Sequence, residues 1–395
     1  MSATFLLIIL KKGFLLFYKR EKGDGNMTHD QSILAQIGNR RKDETGAVNT
    51  PVYFSTAFRH SGIQESTGYD YARTGNPTRE VLEQAIASLE HGERGFATSS
   101  GMSAIQLVFS LFEQGDHILC SDDLYGGTYR LFEGGWKKWG LTFDYVDMSD
   151  LEAVQALRTA NTKAIFVETP TNPLMKEASI ADLAAYCRIH NLLLIVDNTF
   201  LTPLLLKPLE EGADIVVHSA TKYLGGHNDV VAGLVVAKST QISEQLAYFH
   251  NGAGFILGAF DSWLLMRGMK TLALRMKQHE ENAKRLVEVL NEESIVKEVL
   301  YPGKGGMVSF RVRDEALINP ILQSLKLISF AESLGGVESL MTYPATQTHA
   351  DIPEEIRIAK GVDNTLLRFS VGIEHCEDLI NDIQQAFQAA ENKKG

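Results

Sequence analysis

From residue 79 to about 236, short apolar runs alternate with stretches whose apolar residues recur at helical spacing. In residues 79–90, Val81, Leu82, Ala85, Ile86 and Leu89 share one face. The stretch opens after Asn76-Pro77 and stops at Gly92, so a helix is predicted there. Strands are predicted at 95–98, 117–120, 142–146, 164–168, 192–196, 215–218 and 232–236. Several are apolar at every position, the pattern of a strand buried on both faces. Residues 179–190 read as a helix that Ser179 and Asp182 open like a capping box. The alternation predicts an α/β domain with a mostly parallel sheet covered by helices on both sides.

On either side the pattern changes. Residues 27–78 are turn-rich and read as an extended N-terminal arm. Residues 261–293 predict a long helical stretch kinked at Gly268, and beyond it short strands (307–312, 366–371) mix with amphipathic helices, the last at 377–390. This is the pattern of a smaller α+β domain, which places the larger domain at 79–268 and the C-terminal one at 269–395. In residues 1–26, Lys11 and Lys12 split two apolar runs too short for the ~18 residues of a membrane span. Their charges follow the apolar run, the wrong order for a secretory signal. The segment reads as a disordered leader or, preferably, as translated upstream sequence ahead of a start at Met27.

Composition narrows the function classes. With 44% hydrophobic and 22% charged residues, the 395-residue chain has the balance of a globular protein. A net charge of −11 argues against a nucleic-acid or anionic-membrane surface, which needs excess Lys and Arg. Cys120, Cys187 and Cys376 lie far apart with no Cys-x-x-Cys, so reduced thiols in a cytoplasmic protein are expected, and no metal site. Cys120 and Cys187 belong to apolar runs and should be core.

Ligands of open parallel sheets bind beyond the carboxyl ends of the strands. Those ends carry Ser99-Ser100-Gly101-Met102, Asp122-Asp123, Glu168-Thr169, Asp197-Asn198 and His218-Ser219-Ala220-Thr221-Lys222. Small residues between a strand and an apolar helix, as at Gly101 and Met102, present backbone N–H groups suited to phosphate, although they also serve a plain turn. Ser219 and Thr221 could add hydroxyl donors. Asp197 would be a helix or turn cap, or a buried carboxylate needing a cationic partner such as the protonated ring nitrogen of a pyridine cofactor. Lys222, followed by Tyr223-Leu224-Gly225-Gly226, sits in a tight backbone where a lowered pKa would free its amine for a Schiff base. Tyr125, before Gly126-Gly127, could stack on a cofactor ring. Arg368 lies inside an apolar strand, where a guanidinium calls for a carboxylate, and a substrate carboxylate would serve.

The run from Asp214 through Lys222 to Asn228 resembles the cofactor-lysine signature of the cystathionine γ-synthase family of pyridoxal-phosphate (PLP) enzymes. Tyr71-Ala-Arg73-Thr-Gly-Asn-Pro77, Ser100-Gly-Met102, Tyr125-Gly-Gly127, Glu168-Thr-Pro-Thr-Asn-Pro173, Asp197-Asn198 and Ser333-Leu-Gly-Gly-Val-Glu-Ser339 resemble its other landmarks, in order, from Met27 to the C-terminus. The resemblance implies an aminotransferase-like (fold type I) architecture and a cytoplasmic enzyme of methionine and cysteine metabolism that acts on small amino-acid substrates. It implies a homotetramer built from two dimers. Lys222 would carry the PLP Schiff base and move protons, Asp197 would hold the ring nitrogen protonated, and Tyr125 would stack on the ring. Gly101, Met102, Ser219 and Thr221 would bind the phosphate, joined by Tyr71 and Arg73 of a neighbouring subunit. Arg368 with Ser339 would take the substrate carboxylate, Asn172 would approach both cofactor and carboxylate, and Arg130 and Glu338 would contact substrate. The expected reaction is γ-replacement on an O-acylhomoserine by cysteine or sulfide, with cystathionine β- or γ-lyase as the alternative. Tyr301-Pro-Gly303-Lys-Gly305-Gly-Met307 runs together two motifs that many members separate, which implies a shortened loop.

A dinucleotide-dependent oxidoreductase is the reading from another class. Gly252-Ala-Gly254-Phe-Ile-Leu-Gly258 has suggestive glycine spacing, but it follows a helix-like segment rather than a first strand.

Overall fold

The computed structural model describes residues 29–39 and 45–394. The expectations for residues 1–26 and for Met27 fall outside them. Seven strands form the larger sheet: β1 (Arg94–Thr98), β2 (His117–Ser121), β3 (Thr142–Val146), β4 (Thr162–Glu168), β5 (Leu193–Asp197), β6 (Ile215–Ser219) and β7 (Gly233–Ala237). Their order is β1-β7-β6-β5-β4-β2-β3. Only β7 runs against its neighbours; the other adjacent pairs are parallel. The mostly parallel α/β sheet is therefore as expected.

Alternate residues of the same strands enter two different cores. Ala97, Val167, Val196, Val216 and Val236 pack on one face. Phe96, Phe166, Ile195, Val217 and Val235 pack on the other. Helices cover both faces, which is why these strands are apolar at every position. Cys120 and Cys187 are buried.

Local chemistry sets the helix ends. Asn76 accepts from the Thr78 and Arg79 N–H groups at 2.9 and 3.2 Å and Pro77 takes the first position, so that helix spans Pro77–Leu89. Ser179 accepts from the Asp182 N–H, opening Ile180–His190. The long helical stretch is two helices, Ala259–Met269 and Leu272–Glu292, interrupted at Lys270-Thr271 rather than kinked at Gly268. Gly268 serves close packing instead: a Cβ there would stand 2.1 Å from the Gly225 carbonyl oxygen.

A second sheet, β8 (Val296–Leu300), β9 (Met307–Val312), β10 (Ser329–Phe330), β11 (Leu340–Thr342) and β12 (Leu366–Ser370), has the order β10-β11-β12-β9-β8. Leu286, Leu290, Phe310, Phe369, Ile383 and Phe387 join it to the helices Leu272–Glu292 and Cys376–Lys394 in a separate core. This is the smaller α+β unit. The run-together segment after Tyr301 is the short turn between antiparallel β8 and β9. Residues 45–76 hold no strand beyond isolated bridges, one pairing Ala57 with Tyr71.

Candidate active site

The site begins where β1 ends. Ser100 caps the helix Gly101–Phe109, accepting from the Ser103 N–H at 3.0 Å. That leaves the N–H groups of Gly101 and Met102 without partners inside the helix, at the positive end of its dipole. Ser219, the last residue of β6, is pressed against this helix start. A Cβ on Gly101 would lie 2.7 Å from the Ser219 Cβ and 2.8 Å from its Oγ. Thr199 Oγ1 accepts from the Ser219 N–H at 2.8 Å. Thr221 is tied to the other side, exchanging hydrogen bonds with Ala232 just before β7.

Two carboxylates stand side by side in the middle of the rim. Glu168 closes β4, Asp197 closes β5, and the two are register partners. Asp197 Oδ1 accepts from the Thr199 N–H at 3.0 Å and from its hydroxyl at 2.5 Å. Burial raises the Asp197 carboxyl above its ordinary value, opposed by the Thr199 bonds and by His218. Glu168 accepts from the Tyr125 N–H at 3.1 Å and also faces the Asn172 backbone N–H. Burial pushes its pKa well up, and the neighbouring Asp197 charge adds to that. Among the described residues neither carboxylate has a lysine or arginine as an ion-pair partner, and the Arg368 charge reaches Glu168 only through space. A cation placed beside Asp197 would relieve the crowding of charge.

Lys222 sits in the turn after β6, braced by bonds from the Gly225 N–H to the Ala220 carbonyl and from the Gly226 N–H to its own carbonyl. Its Nζ donates to Ser333 Oγ at 3.0 Å. Burial, then the Arg368 charge, bring its pKa down to about 8, with Glu332 acting the other way. Arg368 is 1% exposed. Its Nη1 donates to Asn172 Oδ1 at 2.9 Å, and Nη2 donates to the Ser333 carbonyl at 2.9 Å and to Thr342 Oγ1 at 3.0 Å. Burial lowers its pKa to about 10. Its Nε has no partner among the described residues. A buried guanidinium with an open donor is the mark of a site for a carboxylate.

The remaining expected residues divide. Tyr125 lies half-exposed before the helix Gly126–Gly134, its ring against Gly127, where a Cβ would come within 2.5 Å of it. Asn172 is buried in the bond to Arg368. Ser339 is engaged elsewhere: its N–H and hydroxyl donate to Glu374 at 2.6 and 2.9 Å, and its Oγ accepts from the Gly372 N–H. Exposed Glu338 accepts from Asn228 Nδ2, and exposed Arg130 pairs with Asp351. Tyr71 and Arg73 are exposed. Arg73 donates to Asn251 Oδ1 at 2.9 Å and its guanidinium lies 5.7 Å from the Tyr71 ring. None of the bonds described for these two reaches the Gly101–Ser219 corner.

Sequence reasoning gave Ser333 no role, although it contacts both Lys222 and Arg368. Its φ of +113° is an unusual backbone for serine. Its one signal was its place at the head of Ser333-Leu-Gly-Gly. Thr199 was missed too; Asp197-Asn198-Thr199 is a local carboxylate–hydroxyl turn that could have been read.

An anion cradle, a buried carboxylate in want of a cation, a flat aromatic and a partly buried amine of lowered pKa fit the phosphate, ring nitrogen, ring face and aldehyde of PLP. The oxidoreductase reading finds no such support. Gly254 is the left-handed end of the helix Thr240–Ala253 and Gly258 caps Ala259–Met269, so no strand feeds that motif. Among the described residues no cluster of His, Cys, Asp and Glu could hold a metal, and no helix is long and apolar enough to cross a membrane.

A family model described as Cys/Met metabolism PLP-dependent enzyme matches residues 31–388. The chain is 63% identical over 358 residues to the cystathionine gamma-synthase/O-acetylhomoserine (thiol)-lyase of Bacillus subtilis, covering 91% of this chain and 96% of that protein. It is 57% identical over 357 residues to the cystathionine gamma-synthase of Haemophilus influenzae, covering 90% and 97%. Its fold matches the crystal structure of cystathionine gamma-lyase from Lactobacillus plantarum complexed with L-serine, with a TM-score of 0.90 and 44% identity over 92% of this chain and all of that one.

Proposed function

The chain belongs to the Cys/Met metabolism PLP-dependent enzymes, and from that premise we propose that it exchanges the γ-substituent of an O-acylhomoserine for cysteine or sulfide, giving cystathionine or homocysteine for methionine synthesis. The observation that carries this is the 63% identity, over nearly its whole length, to an enzyme named for both synthase and thiol-lyase activity. PLP is the cofactor, and when bound it supplies an electron sink for charge developing on substrate carbons.

The residues of the chain divide the work. Gly101, Met102 and Ser219 hold the phosphate at the helix N-terminus, with Thr221 bracing the adjoining turn. Asp197, held by Thr199, keeps its charge toward the ring nitrogen, and Tyr125 covers the ring face. Lys222 binds the cofactor through its amine. With its amine free, it would take a proton from substrate Cα, deliver it before taking a second from Cβ, and return protons to these carbons after the acyloxy group has left Cγ and the thiol has added. A pKa near 8 suits an amine that must accept and return protons near neutrality. Arg368, steadied by Asn172, holds the substrate carboxylate through Nε and Nη1, and Ser333 rather than Ser339 is the serine beside both. Glu338 and Arg130 lie farther out as contacts for the distal end of the substrate.

Tyr71 and Arg73 complete the phosphate site of a second subunit in a homotetramer of two dimers. The exposed apolar residues Val48, Phe54 and Ile63 on the same arm support burial against another chain. The cytoplasm, where its three thiols stay reduced, is its place of work.

The structural likeness to a γ-lyase favours cystathionine cleavage as the second reading, since a carbanion at Cα or Cβ needs the same lysine. Steady-state kinetics on O-acetyl- and O-succinylhomoserine with thiol, against cystathionine alone, separates them. The higher kcat/KM is expected with an acylhomoserine; a much higher value for cystathionine would make the enzyme a lyase.

A further inference from the structure

Arg275, near the start of the helix Leu272–Glu292, is, like Arg368, a buried guanidinium, 4% exposed and without a carboxylate partner among the described residues. Its Nη1 donates to the Tyr223 carbonyl at 2.7 Å. Its Nη2 donates to the Gly268 carbonyl at 2.8 Å and reaches the Leu224 carbonyl at 3.5 Å, and Nε donates to Thr271 Oγ1 at 3.2 Å. Two of these carbonyls belong to the residues that directly follow Lys222.

The surroundings are cut to admit this group. Gly226, at φ +73°, would place a Cβ 2.1 Å from Arg275 Nη1, so only glycine leaves the guanidinium room. Gly268 lets its helix touch Gly225. On the opposite side Gly335 would set a Cβ 2.6 Å from the Tyr223 nitrogen and 3.1 Å from the Lys222 carbonyl carbon. The peptide from Lys222 to Gly226 is thus clasped between Arg275 and the segment that carries Ser333. A buried cation without an anion is costly, and an apolar side chain of similar length would fill the space at less cost. What the apolar side chain would lack is the fork that grips the carbonyls.

We propose that Arg275 is a positioning residue for Lys222, fixing the turn from which its amine must reach cofactor and substrate. This rests on the reading of Lys222 as the cofactor-binding lysine.

The test compares full-length Arg275→Met, Arg275→Lys and Gly226→Ala holoenzymes with wild type by pH titration of the visible cofactor absorbance, by kcat and KM, and by thermal melting. Arg275→Met and Gly226→Ala are expected to bind PLP but to move the midpoint of the titration by at least about half a unit. Their kcat is expected to fall about 10–100-fold, the scale of a reacting group displaced by about 1 Å, while KM moves less than about threefold. Arg275→Lys should fall between them and wild type. Variants that melt earlier yet keep the wild-type midpoint and kcat per bound cofactor would reduce Arg275 to a structural part and overturn the proposal. Should Arg275→Met fail to fold, wild-type values in both other variants would do the same. A Lys222→Ala protein that kept the wild-type absorbance and titration would instead overturn the reading of Lys222 itself.

Discussion

Replacing Arg368 by lysine keeps the charge and removes the fork. Of the five guanidinium N–H groups, three are spent on Asn172, Ser333 and Thr342, leaving Nε–H and one Nη1–H for a substrate carboxylate. A lysine ammonium, a point charge on a thinner stem, cannot serve the three protein acceptors and both carboxylate oxygens together. Losing one charge-assisted bond to substrate costs about 1.5–3 kcal/mol, and slackening of the Asn172 amide adds about 1 kcal/mol. The total of about 2.5–4 kcal/mol corresponds to a fall of about 70–900-fold in kcat/KM. The carboxylate is held alike before and during the reaction, so the loss should fall mainly on KM. The assay is steady-state kinetics with the preferred acylhomoserine, beside a thermal melt confirming the fold. A folded Arg368→Lys enzyme whose kcat/KM stays within about threefold of wild type, with KM unchanged, would refute carboxylate recognition by this residue.

Capture of PLP by the apoenzyme needs a neutral lysine amine, and burial has weakened the charged form, so its rate should rise with pH to about 8 and then level off. A rate still climbing toward pH ~10, as for an ordinary lysine, would contradict the burial of Lys222. Gly101→Ala forces a Cβ against Ser219; such overpacking costs ~1–3 kcal/mol, so the PLP dissociation constant should rise about 5–150-fold. Unchanged affinity in a fluorescence titration would remove that corner from the phosphate site. Ser333→Ala should alter the pH dependence of Lys222 labelling, because it deletes the amine's hydrogen bond. Ser339→Ala should instead lower the melting temperature through Glu374 and leave the labelling as it was; the reverse pattern would return Ser339 to the site.

What could be read from the sequence was whatever local chemistry decides. Residues 192–196 are apolar throughout because helices cover both faces of β5, and Asn76-Pro77 and Ser179 mark helix starts by capping bonds that need only near neighbours. The rim was legible for the same reason, since Glu168 and Asp197 close strands that announce themselves and Lys222 follows another. Pairings between distant segments were not legible. Nothing near β7 reveals that it alone runs against its neighbours. Gly268 reads locally as a kink, but its need for glycine comes from Gly225. Ser339 and Ser333 occupy one motif, and only the fold shows that Glu374 claims the first while Lys222 and Arg368 share the second.

Everything proposed for this chain depends on Lys222 being the residue that holds PLP. That role is read out by reducing the purified holoenzyme with borohydride, digesting it and locating the pyridoxyl adduct by mass spectrometry. One adduct is expected, on the peptide containing Lys222, formed with loss of visible absorbance and of turnover. An adduct on another lysine, or full reduction with Lys222 unmodified, would contradict it.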